Sequence, residues 1–229
     1  MRKVKLTASM FVTALIVSLL ASPPAHASDP GYTFYFTARN GQPIGPDPCA
    51  AHPVWINPQN GTPAMVKAIK GALPKISGQT GYHFYFAGLT KVAWDGPPAA
   101  RGRAAPVRIG FGSAKQTRQL SGRTAGWTRV SLVTDSGRSA IGQAQMVFDG
   151  AEFKAMTRRG ARMRSGKGRA VPYRVWFARS LVPHEFGHVL GLGHTARRDQ
   201  LMSARVTANG FQSSDLAGIA QLHRQNCQR

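Results

Sequence analysis

The 229-residue chain is poor in acid: nine Asp and Glu stand against 30 Lys and Arg, a formal charge of +21 at pH 7. That scarcity argues against structural calcium sites, which draw on several carboxylates. It also predicts adhesion to anionic surfaces such as nucleic acid, wall polymer or lipid head groups. Charge alone names no function. Cysteine is nearly absent as well, with Cys49 and Cys227 standing near opposite ends. In an exported chain such a couple is expected to pair, tying the start of the domain to its last helix. The chain-entropy picture gives so long a loop an upper bound of about 5 kcal/mol. Long apolar runs are missing after residue 20, and a bilayer span needs about 20 apolar residues, so no later segment qualifies.

The apolar run that is present lies at the start. Arg2, Lys3 and Lys5 precede an apolar stretch from about Met10 to Leu20, and Ala25-His26-Ala27 places small residues at a cleavage position. These are the three parts of a secretory signal, and the run is too short for a membrane anchor. Residues 1–27 are therefore expected to be removed. The product is expected to be soluble, secreted and extracellular, with no transmembrane segment after processing. Residues 28–48 form an N-terminal segment, and residues 49–229 are long enough for one domain with its own core. A monomer is expected.

Strand signals come first along the chain. Tyr32–Phe36, Pro53–Asn57 and Tyr82–Phe86 are short and rich in aromatic or β-branched residues. Between them, Met65, Ile69, Leu73 and Ile76 recur at helical spacing after Pro63, which predicts an amphipathic helix over 63–79, with Pro74 able to kink or shorten it. Val107–Phe111 and Gln143–Phe148 read as further strands, with a loop rich in Gly, Ser, Thr and Arg from 112 to about 142. Residues 157–171 have no periodicity and no acid, which predicts a mobile surface loop. From Pro172 the pattern turns helical toward Leu192. A last helix follows over 214–225, with Leu216, Ile219, Ala220 and Leu222 inward and Ser213 or Ser214 as its cap. Strands and one helix early, helices late: the expected class is α+β, a sheet covered by helices.

One stretch carries chemistry. Residues 181–194 read LVPHEFGHVLGLGH. His184 and His188, at i and i+4, share one helix face about a turn apart. Two neutral imidazoles so placed can bind one zinc ion at about 2.0–2.1 Å each. Glu185 projects beside such an ion, where a carboxylate can act as a base on water. Gly191 is the expected left-handed stop, after which His194 can return as a third ligand. Three protein ligands leave a position open, the pattern of a catalytic site, whereas a closed structural site takes four. Pro183 complicates this, because an interior proline removes a hydrogen bond to the carbonyl four residues back, here Arg179. A bend or a helix start is therefore expected between Arg179 and Pro183.

This stretch resembles the extended HExxHxxGxxH motif of the metzincin zinc endopeptidases. Leu201-Met202, eight residues beyond His194, stands where the matrixin branch places its Met-turn, and Ser214-Asp-Leu-Ala-Gly-Ile219 is similar to the matrixin final helix. The likeness is greatest to short secreted bacterial matrixin-like proteases and extends over about residues 49–225. The resemblance implies a twisted mixed sheet with an edge substrate-binding strand, an active-site helix and a C-terminal helix. It also implies one catalytic Zn2+ held by His184, His188 and His194, with Met202 as an apolar floor. Glu185 would be the general base of a metalloendopeptidase acting on protein or peptide substrates. Gln143–Phe148 would be the exposed edge that pairs with the substrate. No Pro-Arg-Cys-Gly switch is present, and Ser203 stands where Tyr often follows the Met-turn methionine. A Cys49 thiol capping the metal is the alternative to the disulfide. His52, His83 and His223 are scattered and are expected to be core or surface residues.

A rival reading takes the charge as the function: a basic secreted binding protein for anionic polymers, cell wall or nucleic acid, with a metal site of little activity. Seven basic residues between Arg158 and Arg174 support it. Apart from Tyr173 they lack interleaved stacking aromatics, and no nucleic-acid fold signature is present.

Overall fold

The computed structural model describes residues 30–96, 104–135, 137–165 and 169–226. The expected signal at 1–27 and Cys227 lie outside these, and so does the expected disulfide. The first elements follow the pattern of apolar residues. β2 (Ala51–Ile56) alternates exposed and buried residues, and α1 (Pro63–Thr80) starts where Thr62 caps Met65 N with its side chain. Met65, Ile69, Leu73 and Ile76 are all buried on its inner face, and Pro74 does not shorten it. β3 (His83–Leu89) and β4 (Val107–Gly112) complete the first half. Among the described residues, no helix is long and apolar enough to cross a membrane.

Two expected loops are ordered structure. Within 112–142 runs β5 (Gly126–Asp135), which turns into β6 (Arg138–Asp149), so the strand expected at Gln143–Phe148 begins earlier. Exposed positions along β5, including Leu132 and Val133, blur the alternation that marks a half-buried strand. After β6, Asp149 caps α2 (Gly150–Arg158) by accepting Glu152 N at 2.7 Å, so a helix follows the strand directly. The expected mobile loop at 157–171 forms the end of α2 and a hairpin of β7 (Arg162–Ser165) and β8 (Arg169–Pro172). Met163 and Val171 face each other across that hairpin and pack against the core. Two apolar residues among many arginines left no periodicity to read.

The main sheet has the order β3-β2-β4-β6-β5, with β5 antiparallel to β6 and the other pairs parallel. The architecture is the expected α+β with a mixed sheet. The edge assignment changes, however. β6 is paired on both sides, by β4 and by β5, so Gln143–Phe148 is interior and β5 is the edge next to the helical site.

The late helical stretch is a relay: α3 (Tyr173–Trp176), a π-helical turn at Phe177–Leu181, and α4 (Val182–Leu190). The expected break at Pro183 is there. Val182 N bonds Phe177 O, five residues back, and α4 starts with Pro183 in its first turn. The Arg179 carbonyl, which a proline four residues on cannot serve, accepts Gly210 N at 2.8 Å. α4 then buries all nine of its residues, with Phe186 edge-on to Phe84 at 5.0 Å. β9 (Leu192–Gly193) pairs antiparallel with β1 (Thr33–Phe34). α5 (Ser213–Asn226) closes the chain; Ile219 and Leu222 are buried, whereas Ala220 is exposed. Its first N–H groups, on Ser214 and Asp215, are taken by Gln200 Oε1 at 3.1 and 3.4 Å instead of by a serine cap, because buried Gln200 lies directly over that turn.

Candidate active site

α4 presents His184 and His188 on one face, and Gly191 ends it in the left-handed region at φ 105°. A side chain at Gly191 would also meet Ile44 O at 2.6 Å. The sharp exit returns His194 to the pair. Its Nε2 stands 3.2 Å from His188 Nε2 and 3.3 Å from His184 Nε2. Nitrogens bound at 2.0–2.1 Å around a tetrahedral ion are about 3.3 Å apart, so the spacing suits a zinc-sized cation.

The ring orientations point the same way. His184 Nδ1 faces Leu201 O at 2.7 Å, and His188 Nδ1 faces Leu192 O at 2.8 Å. A nitrogen against a carbonyl must carry the proton, so both Nε2 atoms offer lone pairs inward. Burial lowers the pKa of all three histidines and, together with the neighbouring imidazoles, brings His184 to about 4 and His188 to about 3. All three are therefore neutral at pH 7, as ligation requires. Among the described residues, these three are the group of His, Cys, Asp and Glu side chains gathered closely enough for a metal. The donor set fits zinc.

Glu185 is buried beside them. Its Oε2 accepts a hydrogen bond from Thr128 Oγ1 at 2.6 Å. Burial pushes its pKa up to about 7, against the pull of the Thr128 hydroxyl. A Cβ at Gly126, two residues earlier on β5, would come 2.7 Å from Glu185 Oε1. The carboxylate is thus seated between two positions of the edge strand.

Met202 lies fully buried under α4, where a Cβ at Gly187 would collide with its sulfur. The floor is held from below by Asp215 of α5, which accepts Leu201 N at 2.8 Å, Met202 N at 3.2 Å and Gln212 N at 2.8 Å. Leu201 thus joins Asp215, through its N–H, to His184, through its carbonyl. The N-terminal segment clamps the other side. Thr33 Oγ1 donates to His194 O at 2.8 Å, Tyr35 N donates to Gly191 O at 2.7 Å, and the Tyr35 ring stands edge-on to His188 at 5.4 Å.

The sequence pattern brought out His184, Glu185, His188, Gly191, His194 and Met202, and the fold gathers them in one place. It did not bring out Thr128, Thr33 or the bonding of Asp215, because each acts across long sequence separations with no local spacing. His52 is buried between Asp47 O and Ala105 N, His83 is exposed, and His223 packs edge-on to Tyr82, so none of them joins the cluster. Compared with family models, residues 99–224, more than half of the chain, match the one described as Matrixin. No curated protein matches the chain.

Proposed function

The chain belongs to the matrixin family of zinc metallopeptidases, and from that premise we propose that it is a secreted endopeptidase with Glu185 as general base and His184, His188 and His194 as the ligands of one zinc ion. Zinc held there supplies Lewis acidity, lowering the pKa of water toward about 7 and polarising a carbonyl. Glu185 takes a proton from the water that attacks the scissile carbonyl and passes it to the departing amine. With Oε2 occupied by Thr128, Oε1 is the atom left to carry that proton. β5, the open edge alongside α4, accepts an extended peptide as an added antiparallel strand. Burial of α4 keeps the histidine face dry on its inner side, so its imidazoles stay neutral and aimed.

The observation that carries this reading is the convergence of three imidazole nitrogens beside a buried carboxylate. Protein purified from residue 28 onward is expected to contain about one zinc per chain and to cleave casein or gelatin. Glu185→Ala is expected to abolish cleavage, a loss of about 10²- to 10⁴-fold, with zinc retained. Undiminished activity in that variant would sink the assignment. Export predicts that protein recovered from the medium begins near Ser28, and the Cys49–Cys227 bond predicts a gain of two hydrogens on reduction.

Adhesion to anionic polymers is supported by a separate observation. Arg162, Arg164 and Arg169 stand exposed on the β7–β8 hairpin, and among the described residues none of them meets a carboxylate. A charge-driven contact of this kind weakens steeply with salt. Replacing the three by serine is expected to advance elution from a phosphate-bearing matrix while leaving peptide cleavage unchanged. Unaltered elution would remove the hairpin from the account.

A further inference from the structure

We infer that Thr128 is a positioning residue for Glu185, fixing the general base to the strand on which the substrate lies; this rests on the function proposed above. Thr128 is 3% exposed. Its hydroxyl lies 2.6 Å from Glu185 Oε2 and 3.4 Å from the Glu185 carbonyl, and the shorter contact is the charge-assisted one that takes the proton. On β6 its partner in register is Met146, and the neighbouring pairs on that face are Gly126 with Phe148 and Val130 with Ala144. Every other side chain of these three pairs is apolar or absent. Valine, which has threonine's shape, would satisfy the packing there, so the fold by itself gives the hydroxyl no purpose other than Glu185.

The second contact explains the first. Gly126, on the same face as Thr128, leaves space for Oε1 where any side chain would intrude. One oxygen is tied by a hydroxyl and the other is admitted by a missing side chain. Both positions belong to β5, whose opposite edge is open for peptide pairing. A peptide registered on that edge therefore meets a base registered on the same backbone. The distance between scissile carbonyl and carboxylate is then set within one strand, instead of across the joint between sheet and α4.

The test compares Thr128→Val, Thr128→Ser and Glu185→Ala in the zinc-loaded protein with a short peptide substrate. Thr128→Val is expected to lower kcat by about ten- to hundredfold, the scale of a misplaced reacting group, with KM and zinc content unchanged. Thr128→Ser, which keeps the hydroxyl, is expected to recover most of kcat. In metal-free protein at alkaline pH, the infrared carboxylate band that Glu185→Ala removes should shift in Thr128→Val and stay in place in Thr128→Ser. Thr128→Ala provides the same comparison should the valine variant not fold. Parental kcat in Thr128→Val, alongside an inactive Glu185→Ala, overturns this inference alone. Equal losses in the serine and valine variants overturn it too, since packing would then be what matters. An active Glu185→Ala overturns the base assignment and this inference with it.

Discussion

α4 and β5 meet at Glu185, yet they are opposite kinds of structure. α4 is buried on every side, closed beneath by Met202 and Asp215 and at its exit by the N-terminal segment. β5 is an edge with one partner, and Leu132 and Val133 are about two-fifths exposed. The contrast suits the work proposed for each. Packing around α4 fixes the nitrogens of His184 and His188 and lowers the dielectric around them, while His194, itself exposed, meets them from beyond the helix end. A strand that receives a peptide must leave its own N–H and C=O groups free, so it cannot be covered. The site places its rigidity and its accessibility on different elements and joins them through Thr128.

The difference can be broken most severely from below α4. Asp215→Ala strands the Leu201, Met202 and Gln212 N–H groups and is expected to cost about 3 kcal/mol of stability. Because Leu201 O orients His184, zinc affinity is expected to fall about 10- to 100-fold as well. Chemical denaturation and zinc competition measure the two, and unchanged values in both would show that the floor does not support the ligands. Gly187→Ala drives a methyl group against the Met202 sulfur. We expect a loss of about 1–3 kcal/mol from overpacking, read as a lower denaturant midpoint. A neutral result would mean that the floor yields.

Acid sharpens the same contrast. His184 and His188 have folded pKa values of about 4 and about 3, against the ordinary 6.5 of an unfolded chain. As pH falls below about 6.5, the unfolded chain takes up protons that the fold refuses. The contribution of these two imidazoles to metal-free protein is therefore full above that value and is lost as pH drops through 4 toward 3, while Glu185, raised from 4.5 to about 7, opposes one of them between those two values. Each imidazole contributes a slope on the order of 1.4 kcal/mol per pH unit within its window. Urea midpoints measured across pH 4–8 with chelator present check this, and a flat profile would contradict the buried, neutral state. The smallest effect belongs to the open strand. Leu132→Ser on β5 is expected to change stability by no more than about 0.5 kcal/mol, and a larger loss would show that the edge is packed after all.

How much was legible divides along the same line. The motif in α4 could be read because its chemistry is local: i, i+4 spacing places two imidazoles on one face, glycine ends the helix, and the third histidine follows six residues after the second. Pro183 announced the break before α4 for an equally local reason, the loss of one N–H. β5 was hidden because an edge strand buries too little of either face to impose a clear alternation. The resemblance calls for an edge strand before the active-site helix, and with β5 unseen that place falls to Gln143–Phe148, which the fold makes interior. The hairpin at 162–172 was hidden by its arginines, its two inward side chains being too few to show a period.

Legible in the sequence alone were the cluster of three histidines, the glutamate beside it, the helix break at Pro183, the excess of positive charge and the mixture of strands and helices. Each rests on residue type and on spacings of a few positions, where backbone geometry is the only intermediary. Tertiary structure alone decided which strand is open, which hydroxyl holds Glu185, and that Asp215 and Thr33 brace the ligand loops. Those contacts join residues 13 to 161 positions apart. At such separations no helical or strand period carries information, and only the order in which strands pair settles what stands beside what.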